Sequence, residues 1–159
     1  MKIEYNSIGI IRTPHVKIAG MPIQTANARG TRGTIEIDNA YIEGLADLAG
    51  FSHVILLYHF HCITKFTLKP VPFLDGSAHG LFATRAPARI NPIGISIVKL
   101  VAVEKNIVTV EDADMLNETP LLDIKPYVSE FDSIPGATNG WYRDRLKELP
   151  STKADERFV

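Results

Sequence analysis

The chain has 159 residues, enough for one domain that hides about 70% of its unfolded surface in its own core. It carries 17 basic and 18 acidic side chains, a net charge of −1, so no global field draws it to a polyanion. A lone cysteine, Cys62, excludes an intrachain disulfide, and the longest mainly apolar stretch, His53 to Ile63, is about half of what a membrane span needs. With no basic start leading into an apolar run, a soluble cytoplasmic protein without a membrane partner is expected.

In chain order, short runs rich in Ile, Val and aromatic residues recur at Tyr5–Arg12, Gly33–Ile37, His53–His61, Gly80–Thr84, Gly94–Glu104 and Ile107–Glu111. Each is bounded by Gly, Pro, Asn or Asp, which break pairing and turn the chain. This spacing predicts an all-β fold, a mainly antiparallel barrel or sandwich with one or two short helices. Ala40–Leu48 reads as a short helix, with Asn39 placed to cap it and Gly50 just past its end. A second helical turn is expected near Trp141–Leu149, and Lys69–His79 and Phe131–Gly140 read as loops. Residues 1–150 then form a single domain, and the polar tail 151–159 is expected to fray. No glycine-rich turn opens a helix after the first strand, and strands do not alternate with long helices, so a doubly wound nucleotide-binding fold is excluded. A nucleotide-like ligand would have to be held by loops on a β scaffold.

Charge is unevenly placed. Residues 65–110 carry six basic and two acidic side chains, whereas residues 111–159 carry six basic and eleven acidic ones. A local patch of that kind either meets a few phosphates or is an ordinary solvated surface. Within it, Gly80-Leu-Phe-Ala-Thr-Arg85-Ala-Pro-Ala-Arg89-Ile-Asn91-Pro92-Ile-Gly94 is the densest segment. Two prolines fix φ along it, so the Arg85 and Arg89 guanidinium groups can be held ready for a carboxylate or phosphate. The alternative is a rigid turn whose arginines pair with nearby acids.

Gly80–Gly94, with Ile95-Ser-Ile-Val-Lys-Leu100 after it, closely resembles the signature of the TrmO family of tRNA adenosine N6-methyltransferases. Further stretches agree in the same order: Ile8–Pro14, Ala28-Arg-Gly with Gly33–Glu36, Gly50–His53, and Thr119-Pro-Leu-Leu-Asp-Ile-Lys-Pro-Tyr127, with Gly140-Trp141 trailing. The resemblance covers roughly residues 5 to 142 and implies a β-barrel outside the common methyltransferase folds, binding S-adenosylmethionine close to a homodimer interface. It implies a tRNA substrate whose adenosine 3′ of the anticodon carries a threonylcarbamoyl group, methylated at N6. The family's cofactor-contacting positions fall here on Pro22, Ile23, Gln24, His61, Cys62, Arg85, Ile95, Asn117, Glu118, Thr119 and Pro120. The family commonly has Pro-Arg-Gln at 22–24, His-Gln at 61–62, Arg-Pro-Asn at 89–91 and Asp-Gly-Thr-Pro at 117–120. Short forms such as this one resemble the archaeal members.

A sulfonium methyl is already activated, so such a protein mainly aligns the acceptor nitrogen with it. Asp123 and His61 are the candidates for a general base, and Asp123 and Lys125 share parity, so they can equally form a simple ion pair. Arg89, Lys65, Lys69, Lys99 and Lys125 are the candidate RNA contacts. Two other readings stay open: a non-catalytic module that binds the cofactor or RNA, and a metal-dependent barrel using His53, His59 and His61, which share strand parity. No metal is expected, because no partnering carboxylate lies in the adjacent sequence.

Overall fold

A computed structural model describes residues 1–158 and contains six strands: β1 (Gly9–Arg12), β2 (Gly33–Ile37), β3 (His53–His59), β4 (Ile93–Glu104), β5 (Ile107–Glu111) and β6 (Thr119–Pro126). All neighbouring strands are antiparallel, and they close in the order β1-β2-β5-β4-β3-β6. Closure pairs the edges that an open sheet would expose.

The barrel follows from period-two burial. Val54, Leu56 and Tyr58 of β3 face inward, and so do Gly94, Ser96, Val98 and Leu100 of β4. With Ile11, Ile35, Val108, Val110 and Leu121 they fill the interior. Burying a Val, Leu or Ile side chain contributes about 1.5–3 kcal/mol, which sets the strand register. A slip by one residue would turn this set outward.

Several elements differ from the sequence reading: Tyr5–Arg12 shortens to Gly9–Arg12 and His53–His61 to His53–His59. Gly80–Thr84 is a 3₁₀ turn at Leu81–Ala83, because the Ala83 and Thr84 amides donate to Gly80 and Leu81 within the run. Ala40–Leu48 is two 3₁₀ turns, Asn39–Leu45 and Leu48–Gly50; the chain extends at Ala46 (ψ 137°) and reverses at Asp47 (φ 63°). Thr119–Pro126 is a full strand despite its two prolines: Pro120 lies opposite Ile10 near the start and Pro126 ends the run. The turn expected near Trp141 is a pair of 3₁₀ turns, Gly140–Asp144 and Leu146–Ser151, and a four-residue α-helix, Ser129–Asp132, precedes them.

Of the stretch 151–159, read from the sequence as a polar tail, residues 152–158 run back along the barrel end. Lys153 bridges Pro22, Ala154 is buried, and the Phe158 ring meets Phe73 edge-on at 5.1 Å. Two apolar side chains in an otherwise polar stretch are what anchor it. No helix among the described residues is long and apolar enough to cross a membrane.

Strands β1, β3 and β5 end, and β2, β4 and β6 begin, at the same end of the barrel. The connections 13–32, 60–92 and 112–118 therefore gather there, which is where a site can be built.

Candidate functional site

A cavity of about 760 Å³ opens at that end. Its walls come from the segment after β1 (Met21 to Ala26), the end of β3 (Tyr58 to Ile63), the loop Thr84–Arg89, the start of β4 (Ile93 to Ile95), the turn Asp114–Leu116 and the C-terminal 3₁₀ turns. The volume suits a drug-sized ligand, and the lining is mainly apolar with a few polar groups, the usual pattern of a small-molecule site.

The C-terminal turns are fastened to the Gly80–Gly94 loop. Trp141 donates its indole N–H to the Ala83 carbonyl at 2.8 Å, and the Arg85 amide donates to the Tyr142 hydroxyl at 3.2 Å. The Trp141 ring stacks on Tyr142 at 3.8 Å and on His79 at 4.3 Å. Asp75 accepts from His79 at 2.9 Å and from Arg145 at 3.2 Å, which ties the 69–79 loop to the same platform. The His79 hydrogen bond is the main reason the Asp75 carboxyl sits below the usual carboxylate range.

Of the residues singled out from the sequence, Pro22, Ile23, Gln24, His61, Cys62, Arg85, Ile95 and Thr119 line this cavity. They come from five separate stretches. Arg85 donates to the Gln24 side-chain oxygen at 3.0 Å, leaving further guanidinium N–H groups for an anion. His61 sits past the end of β3 at the rim; partial desolvation lowers its pKa, the neighbouring His59 lowers it further, and Glu118 opposes both. Cys62 is exposed.

Other candidates lie elsewhere. Asn117 accepts from the Thr13 amide and donates its own amide to His15, joining the end of β1 to the start of β6 outside the cavity. Glu118 adopts φ 63° and pairs with Arg12 at 3.2 Å; the left-handed backbone that favours glycine is retained here with a side chain. Pro120 is on the barrel wall opposite Ile10. Asp123 pairs with Lys125 at 2.7 Å on the outside of β6, and Lys99 pairs with Glu111 at 3.0 Å on the outside of β4. Both pairs are solvent-exposed, of a kind worth about 0–1 kcal/mol. Arg89 lines the cavity, but one of its nitrogens is turned onto the Leu81, Thr84 and Ala86 carbonyls, so it holds the loop in shape. Lys65 and Lys69 are exposed on the connection that follows the His61 rim.

The three histidines do not converge. His53 and His59 mark opposite ends of β3, about 20 Å apart at the usual strand rise, and His53 is engaged by Ser52 at 2.9 Å and by the Tyr127 ring. Among the described residues, no group of three or more His, Cys, Asp or Glu side chains is placed to hold a metal ion.

The floor holds polar residues that sequence reasoning passed over. Asp114, on the turn after β5, is 9% exposed and accepts from Ser96 Oγ at 2.6 Å; Ser96 in turn is 3.0 Å from the Tyr58 hydroxyl. Because the single Ser96 hydroxyl proton goes to Asp114, Tyr58 is the donor to Ser96. Burial pushes the Asp114 carboxyl up to about 6, against the Ser96 bond and the field of Arg85, and it pushes the Tyr58 phenol well above its ordinary range. Gly94 makes this floor possible: a Cβ there would meet the Tyr58 ring at 2.2–2.8 Å. The available signal was a serine at an inward-facing position of a strand that is otherwise glycine and apolar on that face.

A closed six-stranded antiparallel barrel with a loop-walled cavity at one end, flanked by an arginine on a stiff loop, defines a small-ligand-binding barrel. The family model of the tRNA-methyltransferase O N-terminal domain matches residues 10–133, and the chain belongs to that family. A probable S-adenosyl-L-methionine-binding protein of Pyrococcus abyssi is 46% identical over 158 residues, covering 99% of this chain and 86% of that protein. The tRNA (adenine(37)-N6)-methyltransferase of Escherichia coli is 32% identical over 145 residues, covering 85% of this chain and 62% of that protein. The crystal structure of TrmO from Pseudomonas aeruginosa superposes with a TM-score of 0.75 at 36% identity, covering 89% of this chain and 63% of that one. The chain thus spans just under two thirds of the E. coli and P. aeruginosa relatives.

Proposed function

We propose that this protein is an S-adenosylmethionine-dependent tRNA methyltransferase that methylates N6 of threonylcarbamoyladenosine beside the anticodon, as a cytoplasmic homodimer. The observation that carries the reading is the convergence of Gln24, His61, Arg85, Ile95 and Thr119, distant in sequence, on one cavity of about 760 Å³. The relatives' names, S-adenosyl-L-methionine-binding protein and tRNA (adenine(37)-N6)-methyltransferase, support the cofactor and the reaction class.

The residues present fit such a cofactor. The cavity has the volume for it, apolar walls for its nucleoside, and the Arg85 guanidinium for a carboxylate. S-adenosylmethionine supplies an electrophilic methyl on a sulfonium. The chain's part is to hold the acceptor nitrogen in line and to exclude water, for which the Trp141–Tyr142 turn, hydrogen-bonded to Ala83 and Arg85, would serve as a wall. His61, which lines the cavity and is lowered in pKa, would accept the nitrogen's proton as a neutral imidazole. The threonylcarbamoyl carboxylate and the neighbouring phosphates would meet Lys65 and Lys69, exposed on the connection that follows His61.

The dimer reading rests on the outer face of the barrel. Ile93, Ile95 and Ile97 of β4 are 36%, 51% and 42% exposed and register against His59, Leu57 and Ile55 of β3. A contiguous apolar stripe of this kind, continuous with the cavity at Ile95, suits a second copy of the chain. Sedimentation at micromolar concentration should give a mass of two chains; a single-chain mass would remove the dimer.

Incubation of the pure protein with labelled cofactor and tRNA that carries the threonylcarbamoyl group but lacks the methyl tests the activity. Incorporation at N6 is expected. Cofactor binding without incorporation into any tRNA would instead favour a binding module. Arg85→Ala should weaken cofactor binding about 10- to 100-fold, the worth of a charged hydrogen bond of roughly 1.5–3 kcal/mol. Unchanged affinity by calorimetry would take Arg85 out of the site.

A further inference from the structure

We infer that Asp114 is the counter-charge for the sulfonium of the bound cofactor, so that the cavity floor separates the methyl-bearing cofactor from its neutral thioether product. This rests on the reading that the cavity takes S-adenosylmethionine.

Asp114 differs from the other carboxylates whose surroundings shift them. Asp75, Glu111 and Asp155 sit beside His79, Lys99 and Arg157, and each is held below the usual carboxylate range. Asp114 is raised, and none of the ion pairs among the described residues includes it. The fold supports it with one hydroxyl, Ser96, itself supported by Tyr58. A carboxylate desolvated at the floor of a largely apolar cavity is a costly group unless a cation comes to it, because little solvent screens the interaction there. Arg85, the cation whose field reaches it, makes no ion pair with it among the described residues and is engaged with Gln24.

The chemistry of the visiting cation matters. An ammonium or guanidinium brings N–H donors and would be met by several acceptors. A sulfonium has none, so it is recognised by charge and by close packing of its carbon substituents. One carboxylate among Tyr58, Phe60, Met115 and Leu116 supplies both. Methyl transfer breaks the S–CH₃ bond with its electron pair left on sulfur, forms N–CH₃ from the nitrogen lone pair, and releases the nitrogen's proton. The cation facing Asp114 then vanishes, and the carboxylate is again uncompensated, which favours departure of the product. Asp114 is in this account a binding and specificity residue, because the charge it stabilises is larger in the bound reactant than in the transition state.

Calorimetric titration of the wild-type chain and of Asp114→Asn at pH 8 with S-adenosylmethionine and, separately, with S-adenosylhomocysteine tests this. The wild type is expected to bind the methylated form at least 10-fold more tightly. Asp114→Asn should lose about 10-fold or more for the methylated form and less than about 3-fold for the thioether, so the preference collapses. Ser96→Ala, which keeps the charge, should retain most of the preference. Equal wild-type affinity for the two ligands overturns the proposal without any variant. So does an equal loss for both in Asp114→Asn, which would place Asp114 against a part common to them. If the wild type binds neither ligand, it is the cofactor reading of the cavity that fails.

Discussion

Alanine at position 94 is expected to lower the unfolding free energy by about 2–3 kcal/mol, the upper part of the range for overpacking a close-packed interior. The added Cβ would stand 2.2, 2.4 and 2.8 Å from three atoms of the Tyr58 ring. That ring cannot step aside cheaply. It is buried, its hydroxyl is held by Ser96, and Phe60 meets it edge-on at 5.4 Å. Gly94 also lies directly across the β3–β4 ladder from Tyr58, so relief would require parting the strands. Urea denaturation measures the effect, with Gly44→Ala as the reference. Gly44 has open space where a Cβ would go and should change stability by less than about 1 kcal/mol. Equal effects at the two positions would mean that Tyr58 is not locked against β4.

Asp114→Asn is expected to stabilise the ligand-free chain by on the order of 3 kcal/mol at pH 8, taking about 1.4 kcal/mol per pH unit for the rise from 3.8 to about 6. The sign follows from proton counting. Between about pH 4 and pH 6 the folded chain keeps a proton on Asp114 that the unfolded chain has lost, so wild-type stability falls as pH rises through that window. Below it both states are protonated and the group has no effect; above it both are ionised and the full cost of the buried charge is present. Asparagine keeps the shape and can still accept from Ser96 while carrying no charge. The gap between wild type and variant should therefore be large at pH 8 and close at pH 4, measured by chemical denaturation at each pH. A gap independent of pH would show that the carboxylate is not ionised against its surroundings. The same carboxylate is the one proposed to face the sulfonium, so this stability measurement and the ligand preference above test one group.

The strands were legible where apolar alternation was strong. Gly33–Ile37 and Ile107–Glu111 keep the limits read from the sequence, and β4 gains only Ile93. Legibility failed where local hydrogen bonding or proline competed with the pattern. Leu81–Ala83 satisfies its donors within its own turn, and β6 carries prolines at its second and last positions, which argue against a strand when read locally. At the cavity, Arg85 and Gln24 were singled out through family resemblance, and the structure brings them within 3.0 Å of each other. Arg89, Lys99 and Lys125 carried the same charge in the sequence, but their partners are loop carbonyls, Glu111 and Asp123, which no local pattern announces.

By itself the sequence determined the kind of fold and the family, because side-chain alternation along a strand and the order of short motifs are properties of neighbours in the chain. Only the tertiary structure decided which polar groups share a cavity. Tyr58, Ser96 and Asp114 lie on three different segments, and it is barrel closure that puts them in one hydrogen-bonded line. The cost of burying Asp114 arises from that closure as well, since desolvation depends on everything packed around a group and on nothing written beside it in the chain.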